Sequence, residues 1–280
     1  MYLRQVHANN YLPTLFSFLQ TNPLGVLNTA IPSPDHPLIQ ASHIPWVFDF
    51  PTEYDSTTPA TDPSLDAAWR ASNGKPLGRL RGHMARANPQ AKALIAAAVQ
   101  ASGSSKTNLV DEAGSGQLPD QPVTLQDEVL VLFTGPISHY VTPKFYTSTK
   151  PATGKVVPTW NYEAVQAYGQ ITVFPSTTSD VSTTFLQEAI EDLSRQEELG
   201  MGFGQANSKG DWKVKDAPEK YITLLKKSIV GVQVDVKRLG GKFKMSQEIG
   251  EGDRKGVVQG FQEIGETHMA GSVQRWGAKR

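Results

Sequence analysis

The chain has 280 residues, 39% of them hydrophobic and 19% charged, a balance that suits a soluble globular protein with a real core. Lys plus Arg and Asp plus Glu both number 27, so the formal net charge is zero and no broad attraction for nucleic acid or an anionic membrane exists. Cysteine is absent, which excludes disulfides, thiolate chemistry and the common zinc ribbons.

In chain order, Leu12, Leu15, Phe16 and Leu19 share one face of a helix expected over Asn10 to Gln20, closed by Asn22-Pro23. Leu24 to Ala30 reads as a strand and Ile31 to Pro37 as the turn after it. A second strand, Ala41 to Phe48, is interrupted by Pro45. The Thr-, Pro- and Asp-rich stretch 49–66 reads as an exposed insertion. Arg79 to Met84 is a short strand leading into a helix capped by Asn88, with Pro89 in its first turn. Residues 102–121 are rich in Gly and Ser and are expected to be mobile.

Val129 to Phe133 and Tyr140 to Thr142 read as two strands, and Val165 to Phe174 as a third, following a Trp-bearing loop. Phe185, Leu186, Ala189, Ile190 and Leu193 mark an amphipathic helix, and Asp216 with Glu219 resembles a capping box for the next one. Val230, Val232, Val234 and Val236 alternate with Gly231, Gln233, Asp235 and Lys237, the pattern of a one-sided strand. Gly240-Gly241 is expected to turn that strand into a hairpin with Lys242 to Ser246. Beyond Gly250 the expectation is a short helix near Arg254 to Phe261 and a frayed tail. Short antiparallel pieces without βαβ alternation imply a mainly β fold with peripheral α, a closed or nearly closed barrel with helices packed outside.

Three segments carry the chemistry. In GHMARANPQ (Gly82 to Gln90) a strand delivers His83 and Arg86 to a helix start, where unpaired N–H groups and the dipole favour a phosphate. The competing account is a capped surface helix with a solvated Arg86. In KVVPTWNYEAVQAYG (Lys155 to Gly169) polar groups stand beside Trp160 and Tyr162, so a planar cofactor's edge and face would both find partners. Alternatively, the aromatics fill a barrel end and Asn161 satisfies a turn. KMSQ (Lys244 to Gln247) is the third. The six histidines are scattered; His43 and His139 show no metal-ligand spacing, and no HExxH, nucleophile elbow or P-loop is present. No helix-turn-helix pattern is found, and the basic residues of the last third alternate with acids and apolar residues, so direct nucleic-acid binding is not expected.

Taken in order, TNPLGVL (Thr21 to Leu27), SHIP, LRGHMARANPQ, GKVVPTWNYEAVQAYG, DWKVKDAP and GKFKMSQ resemble the PaiB-type family of FMN-binding split-barrel proteins, over most of the chain. The resemblance implies a split β-barrel homodimer with FMN in a groove touched by both subunits. On the family pattern, His83, Arg86 and Asn88 would sit near the phosphate. Lys155, Thr159, Trp160, Asn161 and Tyr162 would border the flavin or the facing subunit, and Ser246 and Gln247 would close the groove. The chain departs from the pattern where Glu248-Ile249 follow Gln247, and in its two insertions, which suggest a fungal branch. The implied organisation is a split-barrel domain over 1–250 and a partly disordered extension over 251–280.

Three functions follow as expectations: an FMN-dependent oxidoreductase of unknown substrate, a transcriptional regulator acting indirectly, or a haem-binding or haem-degrading protein using a histidine such as His83 or His43. The N-terminus lacks a secretory signal pattern and no apolar run approaches the ~20 residues that span a bilayer, so a cytoplasmic, membrane-free protein is expected.

Overall fold

The computed structural model describes residues 1–51, 75–103, 118–205 and 209–277. The stretch 49–66, read as an insertion, lies mostly outside these residues, as does most of 102–121. Eight strands among the described residues form one antiparallel sheet: β1 (Ala8–Asn9), β2 (Leu24–Ala30), β3 (Ile39–Pro45), β4 (Val47–Asp49), β5 (Arg79–Ala85), β6 (Val123–Val141), β7 (Thr159–Phe174) and β8 (Ile229–Lys244).

Its order is β3-β2-β6-β7-β8-β5-β4, with β1 added beside the end of β8. The two edge strands, β3 and β4, are joined through a single residue, Trp46. One residue cannot span a flat seven-strand path, so the sheet rolls until its edges meet. Trp46 is 1% exposed at that seam, its backbone N–H donating to Pro23 O at 2.9 Å. The result is a curled half-barrel with helices around it.

The alternating valines are the clearest success of periodicity. Val230, Val232, Val234 and Val236 all point into the core, with Leu27, Leu80, Val131, Phe133, Val165 and Ile171 from the other strands. Helices α1 (Leu12–Thr21) and α2 (Pro89–Ala101) add Leu15, Phe16, Ala91 and Leu94 to the same core. Burying each large apolar side chain stabilises the fold by about 1.5–3 kcal/mol. A short helix, α3 (Thr149–Thr153), precedes β7. Helix α4 (Asp180–Gly200) covers the opposite face of β5 and β8: Phe185 occupies the space a Cβ on Gly231 would need, and Asp192 reaches Arg81. Helix α5 (Glu219–Lys227) follows.

Several expectations are corrected. The two strands read at Val129 to Phe133 and Tyr140 to Thr142 are one, β6, bent by an irregularity between Thr134 and Ser138. Gly135-Pro136 sits at that bend, where a missing ladder bond is tolerated. The Trp-bearing stretch is no loop from Thr159 onward, because Thr159 to Tyr162 pair with Val141 to Ser138. Gly240-Gly241 makes no hairpin: both pair in register with Gln166 and Val165, inside a continuous β8. Gly241 is needed there because a Cβ would strike Leu15, not because the chain turns. Asp216 caps a different element: its carboxylate accepts from Lys213 N at 2.8 Å in a 3-10 turn, while Pro218 precedes α5.

The region expected to fray beyond Phe261 is instead helical. Helices α6 (Glu251–Glu263) and α7 (Thr267–Gly277) bury Val257, Phe261, Met269 and Val273 against Val141, Tyr146 and Met245, a second core. The small residues Gly256 and Gly260, which weaken the sequence signal for a helix, let α6 lie against Phe145.

Candidate flavin site

The predicted site residues fall into two groups at opposite ends of the sheet. Ala85 pairs with Ile229 and Tyr162 with Lys244, the first and last residues of the 16-residue β8. At about 3.3 Å per residue, those ends are separated by roughly 50 Å of strand.

At the first end, β5 runs into α2. Asn88 does cap α2: its Oδ1 accepts from Gln90 N at 2.8 Å, and its Nδ2 donates to Ser42 Oγ at 3.0 Å. Arg86 is half-buried and acts as a crossbar, its Nε donating to Ile229 O at 2.9 Å and Nη2 to Pro175 O at 2.6 Å. Burial lowers its guanidinium from the ordinary value. His83 is half-buried on β5; desolvation holds its imidazole below the usual histidine range, and its buried Nδ1 has no hydrogen-bond partner among the described residues. Arg81, one strand period back, is committed elsewhere, forking onto Asp49 and reaching Asp192 at 2.7 Å.

At the second end, successive residues of β7 divide between faces. Asn161 and Glu163 point inward, whereas Trp160 and Tyr162 point out. Trp160 is 53% exposed and meets Tyr140, its cross-strand partner, edge-on at 6.2 Å. Lys242 Nζ lies 5.4 Å from the Tyr162 ring, and Lys244 Nζ donates to Thr159 Oγ1 at 2.5 Å. Two aromatic rings, a third across the ladder and two lysines thus share one outward face. Lys155 is exposed, short of β7.

Behind that face, Asn161, Ser246 and Gln247 build a corner rather than line a groove. Ser246 is 1% exposed in the left-handed region, at φ 60°, which costs a non-glycine residue about 1 kcal/mol. Asn161 Nδ2 donates to Ser246 Oγ at 2.9 Å, holding it there. Gln247 clamps the turn, accepting from Met245 N and donating to Phe243 O, both within 2.7 Å.

Sequence reasoning gave no role to His7, Glu163 or Arg275 and noted Glu248 only as a departure from the family pattern. Glu248, a departure from the family pattern, is a hub: His7 Nε2 donates to Oε2 at 2.9 Å and Lys244 to Oε1 at 3.1 Å. Burial would push the Glu248 carboxyl up, yet these partners hold it below the ordinary range. Glu163 is 7% exposed, and burial pushes its carboxyl up, only partly offset by Arg275 at 3.8 Å and by Trp276. Gly135 makes room for it, since a Cβ would sit 2.9 Å from Glu163 Oε2. Alternation along β7 places Glu163 inward in the sequence; only the tertiary structure reveals Gly135 beside it.

The donor set fits FMN in chemistry and divides it in space. Exposed aromatics beside lysines suit a planar ring with anionic oxygens, and the orphaned His83 Nδ1 with Arg86 suits a phosphate. The two groups stand at opposite ends of β8.

The sequence pattern of the family described as "Putative FMN-binding domain" matches residues 1–238, and the chain belongs to that family. FMN is accordingly its cofactor, and the PaiB-type resemblance stands. An uncharacterized protein of Aspergillus fumigatus is 51% identical over 95% of this chain and 92% of its own length. The protease synthase and sporulation protein PAI 2 of Bacillus subtilis is 28% identical over 49% of this chain and 56% of its own length. Among solved structures, the flavocytochrome Anf3 of Azotobacter vinelandii is 9% identical, with a TM-score of 0.40, over 85% of this chain and 69% of that chain. Among the described residues, no helix is long and apolar enough to cross a membrane, and no group of three or more His, Cys, Asp or Glu is placed to hold a metal ion.

Proposed function

We propose that this protein is an FMN-dependent oxidoreductase that works as a homodimer, each flavin held between the aromatic face of one copy and the β5–α2 junction of the other. The observation that carries this reading is the separation of the two donor groups along β8. Two copies meeting through the outward face of β6, β7 and β8 would cover Trp160 and Tyr140, large apolar side chains that are otherwise half in water. Trp160 and Tyr162 would cover the ring, Lys242 and Lys244 would face its anionic edge, and His83 with Arg86 of the facing copy would hold the phosphate. Lys155, Thr159 and Asn88 border these groups, while Asn161, Ser246 and Gln247 fix the corner behind the ring.

Bound FMN supplies the electron- and hydride-accepting chemistry, and the protein's part is to bind, orient and shield it. The neutral overall charge and the lack of a DNA-reading element support a small-molecule role over direct DNA binding.

A mixing experiment tests the composite site. His83→Ala and Trp160→Ala are expected each to weaken FMN binding alone. Co-refolding the two variants should restore tight binding to part of the population, because one site in each mixed dimer has both residues intact. Absence of any restored fraction, with mixed dimers confirmed by mass spectrometry, would refute a site shared between copies. Oxidoreductase activity is checked by bleaching of the bound flavin with a pyridine-nucleotide or chemical reductant and its reoxidation by a quinone or nitroaromatic acceptor.

A further inference from the structure

A second cleft lies on the other side of the β8 end. Residues alternate across a strand, so Lys242 and Lys244 share the face of Tyr162 while Phe243 points away from it. There the N-terminal arm crosses the strand, with β1 pairing Ala8 to Lys242. Arm, strand end and α7 enclose a volume of about 760 Å3, lined by His7, Asn9, Tyr11, Phe243 and Trp276 among others. That volume falls within the range of about 300–1,000 Å3 typical of small-molecule sites.

Three features narrow what it holds. No Lys, Arg, Asp or Glu lines it, so a phosphate or carboxylate would be desolvated there without a counter-charge. One wall is a rigid aromatic slab: Trp276 stacks on Phe243 at 4.5 Å and 28°, and Phe243 is braced edge-on by Phe18 at 5.5 Å. Such a slab favours a flat ring laid against it. The N-terminal arm adds polar side chains to the lining. Asn9 Oδ1 is fixed by Tyr11 N at 2.9 Å, and its Nδ2 has no partner among the described residues. His7 Nε2 faces the Glu248 carboxylate at 2.9 Å; in its neutral form the imidazole donates there and presents Nδ1, which has no partner among the described residues, as an acceptor. An amide donor beside an imidazole acceptor matches a ligand edge that carries an acceptor next to an N–H.

We infer that this cleft is a second binding site, distinct from the flavin face, for an uncharged planar nitrogen heterocycle bearing an amide or lactam edge. Trp276 provides the stacking surface, and Asn9 and His7 read the edge. Much of the wall, Phe243, Gln247 and Trp276, comes from beyond the residues 1–238 that the FMN-binding family pattern covers. The inference goes beyond the proposed flavin function and stands without it.

The test uses the full-length protein with nicotinamide, uracil and adenine as probes at millimolar concentration, read by saturation-transfer NMR and tryptophan fluorescence. At least one probe should bind, and nicotinate should bind more weakly than nicotinamide. Trp276→Leu should weaken the bound probe about tenfold, the scale of a lost ring stack. Asn9→Ala, on the arm and clear of the cores, should weaken it severalfold and serves if the Trp276 variant does not fold. No binding by any probe overturns the inference, as does unchanged affinity in both variants. Saturating FMN should leave probe binding intact; displacement by FMN would make the cleft part of the flavin's own seat and also overturns it. Because probe binding and FMN binding are titrated separately, failure of one leaves the other legible.

Discussion

The two ends of β8 present opposite solutions to placing polar and aromatic groups. At the β5–α2 end the polar side chains are turned inward and employed: Arg86 ties β7 to β8 through two backbone carbonyls, and Asn88 caps α2. At the far end the corner is equally well bonded, but an outward layer of Trp160, Tyr162 and Tyr140 stands above it, beside Lys242 and Lys244. The first end is built mainly for stability, with His83 Nδ1 as its unspent group; the second carries surplus recognition chemistry. The proposed dimer would bring the two ends of different copies to one cofactor.

Substitutions separate these roles, and the largest effect is expected at Arg86. Arg86→Ala removes a charged donor from each of two carbonyls and should destabilise the fold by about 3 kcal/mol, measured by urea unfolding. A loss of FMN binding with unchanged stability would mean that the crossbar is not what Arg86 contributes. Ser246→Ala should cost about 2 kcal/mol, because it keeps the left-handed backbone while stripping buried Asn161 of its partner. Ser246→Gly should cost less, since the strain is relieved; if glycine is the worse of the two, backbone strain is not the deciding factor.

Trp160→Ala should do the reverse of Arg86→Ala. Stability should stay within about 0.5 kcal/mol, since so exposed a ring contributes little to the fold. FMN affinity should fall about tenfold in a fluorescence titration. Equal loss of stability and affinity would erase the contrast between the two ends.

The smallest effect concerns Glu163 and is read through pH. Its carboxyl binds a proton more tightly in the folded state than in the unfolded chain, so the folded state holds more protons as pH rises above the ordinary glutamate range. Stability should therefore decline over that window, and Glu163→Gln should flatten the decline. A wild-type urea midpoint that climbs over the window, with the glutamine variant following the same curve, would show that the buried carboxylate is not perturbed in this direction.

Much of this was legible from residues alone, and the reason is local. The alternating valines of β8, the Asn88-Pro89 start of α2 and the apolar stripe of α1 are set by neighbours within a few positions. Motif order likewise sufficed to place the chain in its family. What failed depended on distant partners. Gly240-Gly241 has the composition of a turn, yet it stays in register because Leu15 of α1 fills the space above Gly241. Gly-rich α6 looks like a poor helix until Phe145 packs into its glycine groove.

The site divides along the same line. Which residue types would serve a flavin could be chosen from the sequence, because an exposed Trp beside polar neighbours and an Arg before a capped helix carry their chemistry with them. That Asn161, Ser246 and Gln247 are spent on a corner, that Glu248 gathers His7 and Lys244, and that the two donor groups end up a strand's length apart could not be chosen so. Hydrogen-bond partners separated by up to 241 positions, as His7 and Glu248 are, meet only once the sheet has rolled. Chain chemistry names the groups available to a ligand; the register of the rolled sheet decides which of them remain unspent.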